Sequence, residues 1–200
     1  MTIATLESVP VPILADLRQR HSEPQRHYHD WSHIEALLTH MADARGLLHD
    51  PDAVLHAILF HDAIYDPRAK DNERRSAALL VETAPAIPAA SLSAARRMIE
   101  ATEGHHLPGD LSGAAQSDCA HFLDMDLAIL GASPERFVIY EDQIRREYAH
   151  VPDAAFREGR AAVLRGFAAR PRLYFSAWGR ERFEAQARRN LARSLAALAN

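Results

Sequence analysis

The sequence predicts an all-α protein, a compact helical bundle forming one domain over residues 1–200. Three observations lead there. Apolar residues recur at helical spacing from one end of the chain to the other, while runs of alternating β-branched residues are absent. Helix punctuation is frequent, with Asp50-Pro51, Ser133-Pro134 and Pro152-Asp153 each opening an apolar-periodic stretch. The connections between those stretches are short, as in a bundle. A chain of 200 residues needs no second core, since a fold of that size buries roughly 70% of its unfolded surface.

The elements follow in order. A first helix covers about Pro12 to Arg20, and Ser22 to His29 reads as a loop. The second helix runs from Trp31 to Ala44 and stops near Gly46. Asp50 caps the third, Pro51 occupies its first turn, and it is expected to end around Tyr65-Asp66-Pro67. A polar loop, Arg68 to Asp71, leads to the fourth helix, Asn72 to Thr83. Pro85 and Pro88 separate it from the fifth, Ser91 to about Thr102. Gly104 to Asp110 is a loop by composition. The sixth helix covers Ser117 to Leu130 and ends at Gly131. The seventh opens at Ser133-Pro134-Glu135 and runs to about His150. The eighth extends from Pro152-Asp153 to Ala169. Pro171 then precedes one or two final helices, whose stripe of Phe183, Ala187, Leu191, Leu195 and Leu198 could pack on its own core or form a homodimer.

Composition narrows the function classes. The net charge is −4, so no global basic field recruits a nucleic-acid polymer. Cys119 is the single cysteine, which excludes an intrachain disulfide framework and suits a reducing cytoplasm. No apolar run reaches the ~18 residues of a membrane span, and the N-terminus lacks a signal-peptide pattern.

The chemistry concentrates at His61-Asp62. The stretch Ala53 to Tyr65 is apolar around nearly its whole circumference, which places it in the middle of a domain. A carboxylate there without a partner would cost several kcal/mol or be forced to protonate. Two adjacent metal-binding side chains at that point suggest a cation as the partner. His33 lies on the edge of the stripe Ile34, Leu37, Leu38 and Met41. His40 shares that side, and a core-edge imidazole bonded to a carbonyl is the alternative for either. Asp126 has Phe122, Leu123, Ile129 and Leu130 at helical-neighbour spacing, whereas Asp124 has Ala120, His121, Leu127 and Ala128. Asp126 is therefore expected to face the core, and Asp124 to be a supporting or helix-surface acid. His56 is turned away from His61, and His121 is expected at the surface.

In its order of residues the chain resembles the HD-domain superfamily of metal-dependent phosphohydrolases. The resemblance rests on His33, the pair His61-Asp62 and the later Asp126. Further blocks are similar to one branch of predicted hydrolases: Arg26-His-Tyr-His-Asp-Trp-Ser-His33, His61-Asp-Ala-Ile-Tyr65-Asp, Asn72-Glu-Arg-Arg-Ser76, Thr102-Glu-Gly-His105, Asp124-Met-Asp-Leu-Ala-Ile-Leu-Gly131 and Ile144-Arg-Arg-Glu-Tyr148. The likeness spans about Gln25 to Asn190. It implies one tight divalent ion (Mn, Fe, Co, Ni or Mg) on His33, His61, Asp62 and Asp126, with a metal-activated water hydrolysing a phosphoester or phosphoanhydride of a small metabolite, a nucleotide being the family's usual class.

Asp66, one turn past Asp62, and Glu73, at the start of the fourth helix, compete as catalytic acid or base; ordinary capping is the alternative for both. Arg26, Lys70, Arg74 and Arg145 are candidates for holding phosphate oxygens, with His29 and His105 at the substrate or a weaker second ion. Two other classes share the scaffold: a non-catalytic metal- or nucleotide-binding module, and a two-iron oxygenase.

Overall fold

The computed structural model describes residue 6, residues 9–83 and residues 87–199; Pro85 lies outside them. Every regular element among the described residues is helical, and none is long and apolar enough to cross a membrane. We number the helices α1 (Val11–Arg20), α2 (Trp31–Ala44), α3 (Pro51–Phe60), α4 (Asn72–Thr83), α5 (Ala89–Ala101), α6 (Gly113–Asp126), α7 (Pro134–Glu147), α8 (Asp153–Ala168) and α9 (Ala185–Leu198). The chain divides into two compact units, Met1–Met125 and Asp126–Asn200.

In the first unit α3 is the buried element. All eight residues from Ala53 to Phe60 are buried, and the helix packs against α2, α4 and α5. Each large side chain in that run contributes about 1.5–3 kcal/mol of burial. Its entry is fixed by side chains: the Asp50 carboxylate accepts the Ala53 N–H at 3.0 Å. Asp118 of α6, itself buried, accepts the N–H groups of His49 (2.9 Å) and Asp50 (2.7 Å). The start of α2 is capped similarly, by Asp30 accepting from Ser32 N–H at 2.8 Å.

The exit of α3 differs from the sequence expectation. The helix ends at Phe60, about one turn before Tyr65. His61 keeps helical dihedrals and donates its N–H to Ala57 O, and Ala63 then closes a turn onto Phe60 O. Beyond that point the main chain finds side-chain partners. Ser76 of α4 accepts from Ile64 N–H (3.0 Å) and donates to Ile64 O (3.3 Å). Arg26 takes the carbonyls of Asp62 (2.6 Å) and Ala63 (3.2 Å). With those groups satisfied from outside, helical continuation loses its advantage.

The second unit begins with a tight 3₁₀ turn, Leu127–Gly131, where the sequence predicts α-helix to Leu130. Side chains satisfy its carbonyls. The Tyr174 hydroxyl donates to Leu127 O at 3.0 Å. The Asn190 amide donates to Leu130 O (2.8 Å) and Ala132 O (2.9 Å). A Cβ on Gly131 would sit 2.6 Å from Phe183 Cβ and 2.7 Å from Phe183 O, so only glycine fits. Phe183 belongs to a one-turn π segment, Arg180–Glu184, that leads into α9. α9 packs on α8 and on the 3₁₀ turn, burying Ala187 and Leu191, so the inner half of its apolar stripe is used within this unit.

Candidate metal centre

Three of the residues singled out in the sequence come together in the first unit. His33 Nε2 lies 3.2 Å from His61 Nε2. Asp62 Oδ2 lies 3.0 Å from His61 Nε2 and 3.7 Å from His33 Nε2. Both imidazoles are buried, and the Asp62 side chain is 16% exposed. His33 comes from the first turn of α2. His61 closes α3, and Asp62 stands one residue beyond it in the turn. Leaving the helix there lets two consecutive side chains aim at the same point.

The geometry accommodates a cation. These three separations put all three atoms on a circle of about 1.9 Å radius, so an ion at the usual ~2.1 Å from each sits slightly off their plane. The ligand angles would then span about 90–125°, within reach of octahedral or tetrahedral coordination.

Protonation points the same way. His61 Nδ1 is 2.9 Å from Ile58 O and must carry a proton to bond it. In the neutral ring Nε2 then presents a bare lone pair, facing a second ring nitrogen and a carboxylate oxygen. A proton carried on His33 Nε2 bridges to that lone pair, and a metal ion between the three atoms would satisfy all of them at once. Burial alone would raise the Asp62 pKa; the surrounding imidazoles of His61, His29 and His33 outweigh it and hold the carboxyl well below the usual carboxylate range.

The other sequence candidates are placed as follows. His29 is half-buried and stacks on Tyr65 (ring centroids 4.3 Å apart), with an edge contact to His33 at 6.0 Å. Arg26, read as a phosphate holder, is a buried clasp. Its Nε donates to Glu23 (3.1 Å), and its terminal nitrogens donate to the carbonyls of His29 (3.0 Å), Asp62 and Ala63. Arg145, also read as a phosphate holder, is committed within the second unit to Tyr148 O (2.7 Å), Val151 O (3.1 Å) and Asp153 (2.6 Å). Lys70 is exposed. His105 is half-buried and sits at φ 48, a left-handed backbone.

The two candidate acids differ. Asp66 is exposed, and its carboxylate accepts Arg68 N–H at 2.9 Å. Its main chain exchanges two bonds with Asn72 (3.1 and 2.8 Å). Glu73 is half-buried, and its carboxylate is committed to no bond among the described residues. It stands three residues before Ser76, on the side of α4 that grips the turn after Asp62.

Two expectations about α6 are corrected. Asp124 is fully buried and Asp126 half-buried, the reverse of the facing argument, and His121 is buried rather than at the surface. Every residue from Asp118 to Met125 is buried, so counting apolar neighbours cannot separate an inner from an outer face. Asp126 opens the second unit, and its part in ligation rests on resemblance alone.

Sequence reasoning missed three contributors: Ser76, which pins the turn; Tyr65, which stacks on His29; and His21, buried beside Trp31. Asn72 and Ser76 are four residues apart, and that shared-face spacing was the available signal for the first.

No protein-family model, no curated protein and no solved structure matches the chain. The described residues are all-helical in their regular elements, and the first unit gathers two imidazoles and a carboxylate that could hold a metal ion.

Proposed function

We propose that this protein is a metal-dependent phosphohydrolase of the HD-domain type, acting on a small phosphorylated metabolite. The observation that carries the reading is the convergence of His33 Nε2, His61 Nε2 and Asp62 Oδ2 on one point. A divalent ion there supplies a Lewis acid and a water acidified toward neutrality.

The chain's own residues account for the rest of the proposal. The Nδ1 bond to Ile58 O fixes the His61 ring and turns Nε2 toward His33 Nε2 and Asp62 Oδ2, the direction in which it would ligate. Glu73, half-buried and uncommitted, is the better acceptor for the proton lost by an attacking water; Asp66 is occupied in its own turn. His29 stands at the edge of the site, oriented by Tyr65, where it can donate to a phosphoryl oxygen.

The test is turnover. Purified protein with Mn²⁺ is assayed against nucleoside mono-, di- and triphosphates and generic phosphoesters. Phosphate release that Asp62→Ala abolishes supports the reading. Tight nucleotide binding without turnover under any metal would indicate a binding module, and two irons per chain with oxygen-dependent chemistry would indicate an oxygenase.

A further inference from the structure

Arg26 is an enclosed charge: its side chain has no solvent exposure. Four of its five N–H donors are used. One goes to the Glu23 carboxylate, and three go to the main-chain carbonyls of His29, Asp62 and Ala63. Its guanidinium carbon lies 5.4 Å from the centre of the Tyr65 ring, the ring that stacks on His29. The bonds to Asp62 and Ala63 cross 36 and 37 residues of sequence. One planar group therefore ties the segment that carries His29 and leads into α2, whose first turn carries His33, to the turn that carries Asp62.

From this geometry we infer that Arg26 is a positioning residue for the metal cluster; the inference rests on the metal reading above. No phosphate is needed to explain its charge. The grip fixes the main chain on both sides of the point where His33, His61 and Asp62 meet, and sets the separations of their ligating atoms. A planar fork is required, because the three carbonyls are reached from two nitrogens on one rigid plane. A lysine retains the charge but offers one nitrogen, and cannot span them.

Mn²⁺ titration by calorimetry of the intact protein tests this, at a temperature where circular dichroism shows wild type and variants fully helical. Arg26→Lys is expected to bind Mn²⁺ about 10- to 100-fold more weakly than wild type, the range for partners that orient metal ligands. A role in stability alone would lower the melting temperature and leave the Mn²⁺ affinity of the folded protein unchanged; affinity within twofold of wild type overturns the inference. Glu23→Gln is the second variant. Its side chain is 42% exposed, and it leaves all three carbonyl contacts in place. It is expected within twofold of wild type, and a tenfold loss there would mean the ion pair matters rather than the grip. Wild-type protein that binds no Mn²⁺ overturns the metal reading and this role together, whereas binding by wild type and equal binding by Arg26→Lys overturns only this role.

Discussion

Replacing His21 by asparagine should flatten the acid side of the protein's stability profile. His21 is 1% exposed. Its Nδ1 lies 2.9 Å from Leu17 O, its Nε2 is buried without a partner, and its ring meets Trp31 edge-on at 5.8 Å. Burial pushes its pKa down from 6.5 to about 4; the Leu17 bond and the Asp62 charge oppose the shift, and the charges of Arg26 and His61 add to it. The folded state therefore holds this imidazole neutral where the unfolded chain protonates it. Its contribution is fully present above the unfolded value of 6.5 and is lost as pH falls toward 4. Protonating the unfolded chain while the folded imidazole stays neutral removes about 3 kcal/mol between pH 7 and pH 4. Asparagine keeps an N–H donor for Leu17 O and does not titrate. Urea unfolding followed by circular dichroism, from pH 7 to pH 4, gives the comparison. Wild type should lose about 3 kcal/mol more than His21→Asn. The low pKa of Asp62 also removes stability in acid, but it does so in both proteins and largely cancels in the difference. Parallel profiles for the two proteins would refute the reasoning.

Other outcomes follow from the same structure. Glu73→Gln should lower turnover by about 10²- to 10⁴-fold with Mn²⁺ affinity kept, as expected for loss of a general base. Asp66→Asn should stay within about tenfold; the opposite ranking in a steady-state assay would exchange the two roles. Gly131→Ala should destabilise the second unit by about 1–3 kcal/mol, since the new methyl meets the Phe183 backbone with nowhere to go. Denaturant midpoints measure this, and an unchanged midpoint would show that the π segment yields.

Much of the helical framework was legible because local chemistry decides it. The bounds of α2 and α4 match the sequence reading, and so does the start of α3 at its Asp50 cap and Pro51. The end of α3 was not legible. It depends on Ser76 and Arg26, which arrive from elsewhere in the chain to satisfy the main chain of residues 62–64. That His61-Asp62 needs a partner could be anticipated from a carboxylate closing an apolar helix, whereas the choice of His33 over His40 came from the resemblance. The ranking of Asp124 and Asp126 could not be anticipated, because α6 is enclosed on all sides and offers no polar face to measure against. Arg26 and Arg145 show the general difficulty. An arginine with candidate ligands nearby in sequence reads as an anion binder, yet both spend their donors on main-chain carbonyls and one carboxylate of the chain itself. Which groups a long side chain reaches is a tertiary fact that no spacing along the chain encodes.

The central claim is a divalent ion seated on two ring nitrogens and one carboxylate oxygen. Crystals of protein loaded with Mn²⁺, measured at a wavelength where manganese scatters anomalously, test it most directly. The account predicts a single strong peak about 2.1 Å from each of His33 Nε2, His61 Nε2 and Asp62 Oδ2. A well-phased map with manganese elsewhere, or with no peak between those three atoms, would contradict it.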